Sequence, residues 1–171
     1  WIERLRKDAE GHHFLQLDIK NFFYNINKQI LMNILTDKLY KSKMMDKEFE
    51  ENLWLAQVII FHNPCDNYKL KGDISLLESL PNHKSLFNIP KGKGLPIGNL
   101  TSQFFANVYL NELDQFIKRE SKFKYYIRYA DDLIILEKDY RKLEKTIHVI
   151  NDFLKEYLRV LKEKMVDGVL Y

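Results

Sequence analysis

The sequence predicts an α+β fold with the element order β-α-β-β-α-β, interrupted by a helical and loop insertion. Three observations carry that expectation. Phe14–Leu17 is a short apolar run that ends in Asp18, as a strand delivering a carboxylate would. Tyr125–Leu136 (YYIRYADDLIIL) places two β-branched and aromatic runs around a tight Ala130-Asp131-Asp132 corner, the pattern of a β-hairpin. Between and after these stretches lie segments of helical hydrophobic period.

In chain order, Asn27 is placed to cap a helix whose apolar positions are Ile30, Leu31, Ile34, Leu35 and Leu39. Lys41–Lys47 is a polar connection. Asp46 is expected to cap a second helix, with Phe49, Leu53, Trp54 and Val58 or Phe61 on its buried side, ending before Pro64. Residues 63–94 lose the pattern. They hold three of the four prolines and read as an insertion loop, too long for an idle connection. Its basic Lys91-Gly92-Lys93-Gly94 cluster is either a solvated loop or a phosphate contact.

Pro96 and Gly98 then lead into a long helix capped by Asn99 or Thr101, with Leu100, Phe104, Val108, Leu113, Phe116 and Ile117 on one face. Asn107 and Asn111 are expected as buried polar contacts near it. After the hairpin, Asp139 caps a third long helix with the stripe Leu143, Ile147, Ile150, Phe153, Leu154, Tyr157 and Leu158. Val160-Leu161 and Val169–Tyr171 read as the start of a closing strand pair. With the second helix and the loop taken as an insertion, this is the split βαβ, ferredoxin-like order. It brings Asp18 beside the Asp131-Asp132 tip.

Composition narrows the function. The chain has 171 residues, 46% hydrophobic and 30% charged, enough for one domain with a core. No apolar run is long enough to span a membrane, and the charged start WIERLRKDAEG has no apolar signal segment. One cysteine, Cys65, excludes an internal disulfide framework and a multi-Cys zinc site, and fits a reducing, cytoplasmic setting. The net charge of +3 permits nucleic-acid binding without pointing to it. No Walker-type loop, Ser-His-Asp, Cys-His or HExxH arrangement competes as a site. Three carboxylates brought to one sheet edge repel unless divalent cations lie between them. Two Mg²⁺ ions about 3.5–4 Å apart there suit in-line phosphoryl transfer.

FLQLDIKNFFYNI, LPIGNLTSQFFANVYLNELD and YADD (Tyr129–Asp132), in that order across Phe14–Leu136, resemble the motifs of reverse transcriptases. The resemblance implies a single domain over 1–171, a ferredoxin-like polymerase palm with part of the fingers, cut from a longer protein whose thumb lies beyond it. It implies an RNA-directed DNA polymerase that moves a nucleotide from a dNTP to a primer 3′ end on an RNA template. Two Mg²⁺, with Mn²⁺ as a substitute, would be held by Asp18, Asp131, Asp132 and the Ile19 carbonyl. Amides near Asn21 and Phe22 would hold the triphosphate, and Phe23 matches the steric gate. Ile97 and Gly98 would meet the incoming base pair, while Gln103, Tyr129 and Ala130 would lie near template and primer. Lys162 or Lys164 stands where a leaving-group lysine is expected.

Most of the family has Gln before that Gly. Ile97 with Ser102-Gln103 is most similar to the enzymes of diversity-generating retroelements and to group II intron-like bacterial enzymes. This implies a bacterial or phage origin, frequent errors at adenine, a DNA or RNA primer and a small basic helical accessory protein. An apolar Ile97 lacks the hydrogen bond that Gln offers, which relaxes discrimination. Other readings are a template-independent polymerase of the phage-defence type, a non-catalytic nucleic-acid-binding module, and a nucleotide cyclase. The module predicts lost carboxylates, and the cyclase a GGDEF-like hairpin in place of YADD.

Overall fold

The computed structural model describes residues 10–69, 71–73, 81, 85–158 and 166–170. The elements are β1 (His13–Ile19), α1 (Phe22–Asn25), α2 (Lys28–Lys41), α3 (Asp46–Phe61), a 3-10 turn at Leu86–Asn88, α4 (Leu100–Gln115), β2 (Tyr125–Tyr129), β3 (Asp132–Glu137), α5 (Tyr140–Glu156) and β4 (Val166–Leu170). A π turn, Phe116–Glu120, continues α4. No helix among the described residues is long and apolar enough to cross a membrane. The chain divides into two compact units, Trp1–Lys20 with Leu110–Tyr171, and Asn21–Tyr109.

The first unit is a four-stranded antiparallel sheet in the order β2-β3-β1-β4. Alternation on β1 decides its faces. Leu15, Leu17 and Ile19 are fully buried, while Gln16 and Asp18 are exposed. The β1–β3 register pairs Leu15 with Ile135 and Leu17 with Leu133, both partners also fully buried. Helix α5 contacts β1, β3 and β4. It sinks Leu143, Ile150 and Leu154 into the core. Asp139 caps it as expected, its Oδ1 accepting from Arg141 N–H (2.9 Å) and Lys142 N–H (3.2 Å). Lys142 Nζ donates to Glu137 Oε2 at 2.6 Å and sits 4.4 Å from the Phe123 ring centroid.

The second unit is built on α2 and α3, which pack on each other. Asn27 caps α2, its Oδ1 accepting from Gln29 N–H and Ile30 N–H. Phe22, Ile26, Leu31, Ile60, Leu95 and Tyr109 fill the interior. Tyr109 Oη accepts from Asn27 N–H at 3.3 Å, and burial raises its pKa.

Several sequence expectations need correction. Asp46 lies in the first turn of α3, while Met45 holds the cap position. The buried residues of α3 are Ala56 and Ile60; Trp54, Val58 and Phe61 are exposed. Phe49, Leu53, Ala56 and Ile60 form one i, i+4, i+7, i+11 row, and Trp54, Val58 and Phe61 form a second row about 140° round the helix. Two apolar rows leave periodicity unable to choose between them.

Likewise α4 buries Ser102, Phe105, Ala106, Tyr109, Leu110 and Leu113, the π turn buries Ile117, and Leu100 and Phe104 are exposed. Asn107 is exposed and its amide donates to Gln103 O within the helix. The Asn111 side chain accepts from Gln115 Nε2. Val160-Leu161, Tyr171, Lys162 and Lys164 lie outside the described residues, so of the closing strand pair only β4 is described.

Two outcomes check this packing. Leu17→Ala removes a fully buried side chain between sheet and helix and is expected to cost about 3 kcal/mol of unfolding free energy in a denaturant titration. The hydrogen bond from Lys142 holds the Glu137 carboxyl below its ordinary range. A depressed carboxylate stabilises above its unfolded pKa of about 4.3, and that stability is lost as pH falls through the lower folded value. Glu137→Gln is therefore expected to lose up to about 1 kcal/mol at neutral pH and nothing once the wild-type carboxylate is protonated.

Candidate active site

The sheet brings carboxylates together through register. Asp18, near the end of β1, lies directly opposite Asp132, the first residue of β3. Both are on the exposed face, the alternation that buries Leu17 and Leu133 turning them outward. Like charges directly opposite on a ladder are destabilising, and a cation bound between them would offset that cost. On the other side of β1 the register sets Asp167 of β4 opposite Asp18. Asp132, Asp18 and Asp167 thus share one register row across three strands, and nothing local in the sequence ties Asp167 to the hairpin.

Asp131 sits in the turn and is half-buried. Among the described residues no three His, Cys, Asp or Glu side chains lie close enough to form a metal cluster. The side chains of Asp18, Asp131 and Asp132 carry the oxygen donors that a hard divalent cation takes.

The turn itself is strained and braced. Tyr129 pairs with Asp132, leaving Ala130 and Asp131 as a two-residue loop. Ala130 has φ +53°, a left-handed conformation costing an L-residue roughly 1–2 kcal/mol. Its carbonyl accepts from Arg128 Nη1 at 2.8 Å. The same guanidinium binds Asp114 of α4 with two parallel bonds, Nε to Oδ1 at 2.8 Å and Nη2 to Oδ2 at 2.7 Å. Tyr126 Oη donates to Asp114 Oδ1 at 2.6 Å. The Asp114 hydrogen bond raises the Arg128 pKa, and burial followed by the Asp114 bond raises that of Tyr126. The guanidinium therefore stays charged and the phenol protonated. A charged residue inside the apolar run YYIRY was the available signal for this brace, but its partner lies on another element.

In the second unit, Asn21 adopts a left-handed φ of +50° immediately before α1. Phe22 is buried and Phe23 half-buried, their rings edge-to-face at 5.6 Å. Leu95 N–H donates to the Phe23 carbonyl at 2.8 Å and Gly94 N–H to Ile26 O at 2.9 Å. These bonds tie the start of the LPIGN loop to the Phe23 segment. Further along that loop, Ile97 is exposed and Gly98 has φ +97°, a value that favours glycine. Gln103 is exposed on the first turn of α4, its N–H donating to Asn99 O. Ile19 is the buried last residue of β1. Tyr129 and Ala130 are exposed at the hairpin tip.

The fold is an α+β domain whose sheet sets two acidic residues opposite each other beside a tight hairpin tip. The chain belongs to the reverse transcriptase family, RNA-dependent DNA polymerases, whose sequence model matches residues 2–167. It is an RNA-directed DNA polymerase domain, a nucleotidyltransferase of the kind that acts on template, primer and dNTPs with divalent metal ions. No curated protein matches the chain.

The brace yields a direct expectation. Arg128→Met leaves the Asp114 carboxylate without its cation and is expected to cost about 3 kcal/mol in chemical denaturation. Tyr126→Phe removes one hydrogen bond to that carboxylate and is expected to cost about 2 kcal/mol.

Proposed function

We propose that this domain is the catalytic palm, with part of the fingers, of an error-prone reverse transcriptase from a bacterial or phage diversity-generating retroelement. The pairing of Asp18 with Asp132 across the β1–β3 ladder carries the catalytic part of this reading. The sheet order β2-β3-β1-β4 is the one a ferredoxin-like palm requires, and residues 63–94 are read as an insertion within a single domain over 1–171.

Asp18, Asp131 and Asp132, with the Ile19 carbonyl, would hold two divalent cations, Mg²⁺ being the expected metal. When bound, such ions lower the pKa of the attacking hydroxyl and neutralise charge on the leaving phosphate. The protein's own share is positioning. Asp18 is fixed by its strand's register. Asp131 and Asp132 are fixed by the braced turn, so little reorganisation is left for the moment of reaction.

Backbone amides near Asn21 and Phe22 would meet the triphosphate, as the family resemblance implies. The Phe23 ring would stand against a ribose 2′-hydroxyl. Gly98 gives the backbone close approach to the base pair, and Gln103, Tyr129 and Ala130 would border template and primer. Ile97 presents an aliphatic side chain where a hydrogen-bonding residue would discriminate among incoming nucleotides. That supports the error-prone subclass, with a small basic helical protein as its accessory partner.

The test is primer extension by the full-length parent protein on an RNA template with Mg²⁺, supplying one dNTP at a time. Template-following extension is expected, and Asp131→Ala/Asp132→Ala is expected to reduce it at least about 10³-fold. Extension that ignores template sequence would overturn the RNA-templated reading. Misincorporation is expected to be highest opposite adenine, and Ile97→Gln is expected to reduce it several-fold. An error rate unchanged by Ile97→Gln would remove the support for the error-prone subclass.

A further inference from the structure

The Lys91–Gly94 turn is joined to the start of α2 at three points. Lys28 N–H donates to Gly92 O at 2.9 Å, Gly94 N–H donates to Ile26 O at 2.9 Å, and Asn27 forms an antiparallel bridge with Lys93. A Cβ at Gly94 would come within 3.3 Å of Ile89 and 3.4 Å of the Tyr24 carbonyl, so the turn lies flush against its support. This seam borders a pocket of about 470 Å³. Its charged lining is Lys28, Lys91, Lys93 and Asp66, three cations against one carboxylate. Cys65 also lines it, with a thiol that burial pushes up and so keeps neutral.

Lys28 is the unusual member. It is 7% exposed, and lysine is almost never so buried without a paired charge. It also stands in the first turn of α2, where the helix dipole is already positive. Its ammonium has three donors. Among the described residues its one hydrogen-bond acceptor is the His62 carbonyl at 3.2 Å. Asp66 attracts it without forming an ion pair, and its carboxylate is engaged by Asn63 Nδ2 at 2.7 Å. Burial pulls the Lys28 pKa below the ordinary lysine value, the sign of a cation short of compensation. An anion in the pocket would supply that compensation, and two further lysines stand in its wall to receive it.

We infer that the Lys28–Lys91–Lys93 pocket is a phosphate-binding site, filled by a phosphodiester of the bound nucleic-acid strand. The site depends on the polymerase reading only for that choice of ligand source. A phosphate of a free nucleotide has the same chemistry, and the test separates the two. Binding of a short single-stranded RNA to the full-length parent protein is measured over a series of KCl concentrations, and the KM for dNTP is measured by primer extension.

Lys28→Met replaces the buried ammonium with an apolar chain of similar length. It is expected to lower the slope of log affinity against log salt by about 0.7, equally for unrelated sequences, and to leave the dNTP KM unchanged. Lys28→Arg is expected to keep most of the slope. Lys91→Gln/Lys93→Gln, nearer the surface, gives the same reading if Lys28→Met fails to fold.

A slope unchanged with a dNTP KM raised several-fold would keep the phosphate site but overturn its assignment to the strand. No change in either quantity, in both the Lys28 and the Lys91/Lys93 variants, would overturn the site. RNA binding is read without catalysis. A wild-type protein that binds RNA with a Lys28-dependent slope yet extends no primer would refute the polymerase reading and leave this site standing.

Discussion

The pairing of β1 with β3 is the constraint on which the site depends. Three aliphatic side chains of β1 face inward and the residues between them face outward, so burial of Leu15, Leu17 and Ile19 fixes where Asp18 points. The same ladder buries Leu133 and Ile135 and so fixes Asp132. The hydrophobic core and the acidic row are two faces of one decision. The cost of setting two carboxylates opposite each other is carried by apolar burial on the reverse side of the same strands.

The hairpin tip shows the same logic in polar form. Ala130 holds a backbone angle that an L-residue seldom adopts, and the Arg128 guanidinium grips its carbonyl. That guanidinium is itself clamped by Asp114, and Asp114 by Tyr126. Strain persists only where surroundings over-determine it, and here a bidentate ion pair supplies the determination. Asp131 and Asp132 follow directly in the chain, so a brace outside the acidic row sets the geometry within it.

Much of this was legible in the sequence because the signals are local. Asn27 and Asp139 cap their helices with their own side chains, a contact spanning three residues. The hairpin showed in its alternation and its short corner. Asp18 could be matched with Asp132 because the element order left few sheet topologies. Helix faces were less legible where apolar residues cover two separate rows. Periodicity puts Trp54 and Phe104 on the buried faces, yet Ala56 and Phe105 take those places. Long-range polar contacts leave no sign of their partners in the sequence. Nothing near Arg128 announces Asp114, and nothing near Lys28 announces the His62 carbonyl.

The pleat of β1 also makes that strand sensitive to length in a way it is not to composition. Gaining or losing one residue before Asp18 would turn a leucine or isoleucine to solvent and bury the carboxylate in its place. A change of two would restore the faces but shift the acid about 7 Å along the sheet, away from its counterpart. Drift by substitution among aliphatic residues leaves the pairing intact, while a single-codon insertion or deletion destroys it. In such a lineage the segment from His13 to Ile19 is free to vary in spelling and held fixed in count.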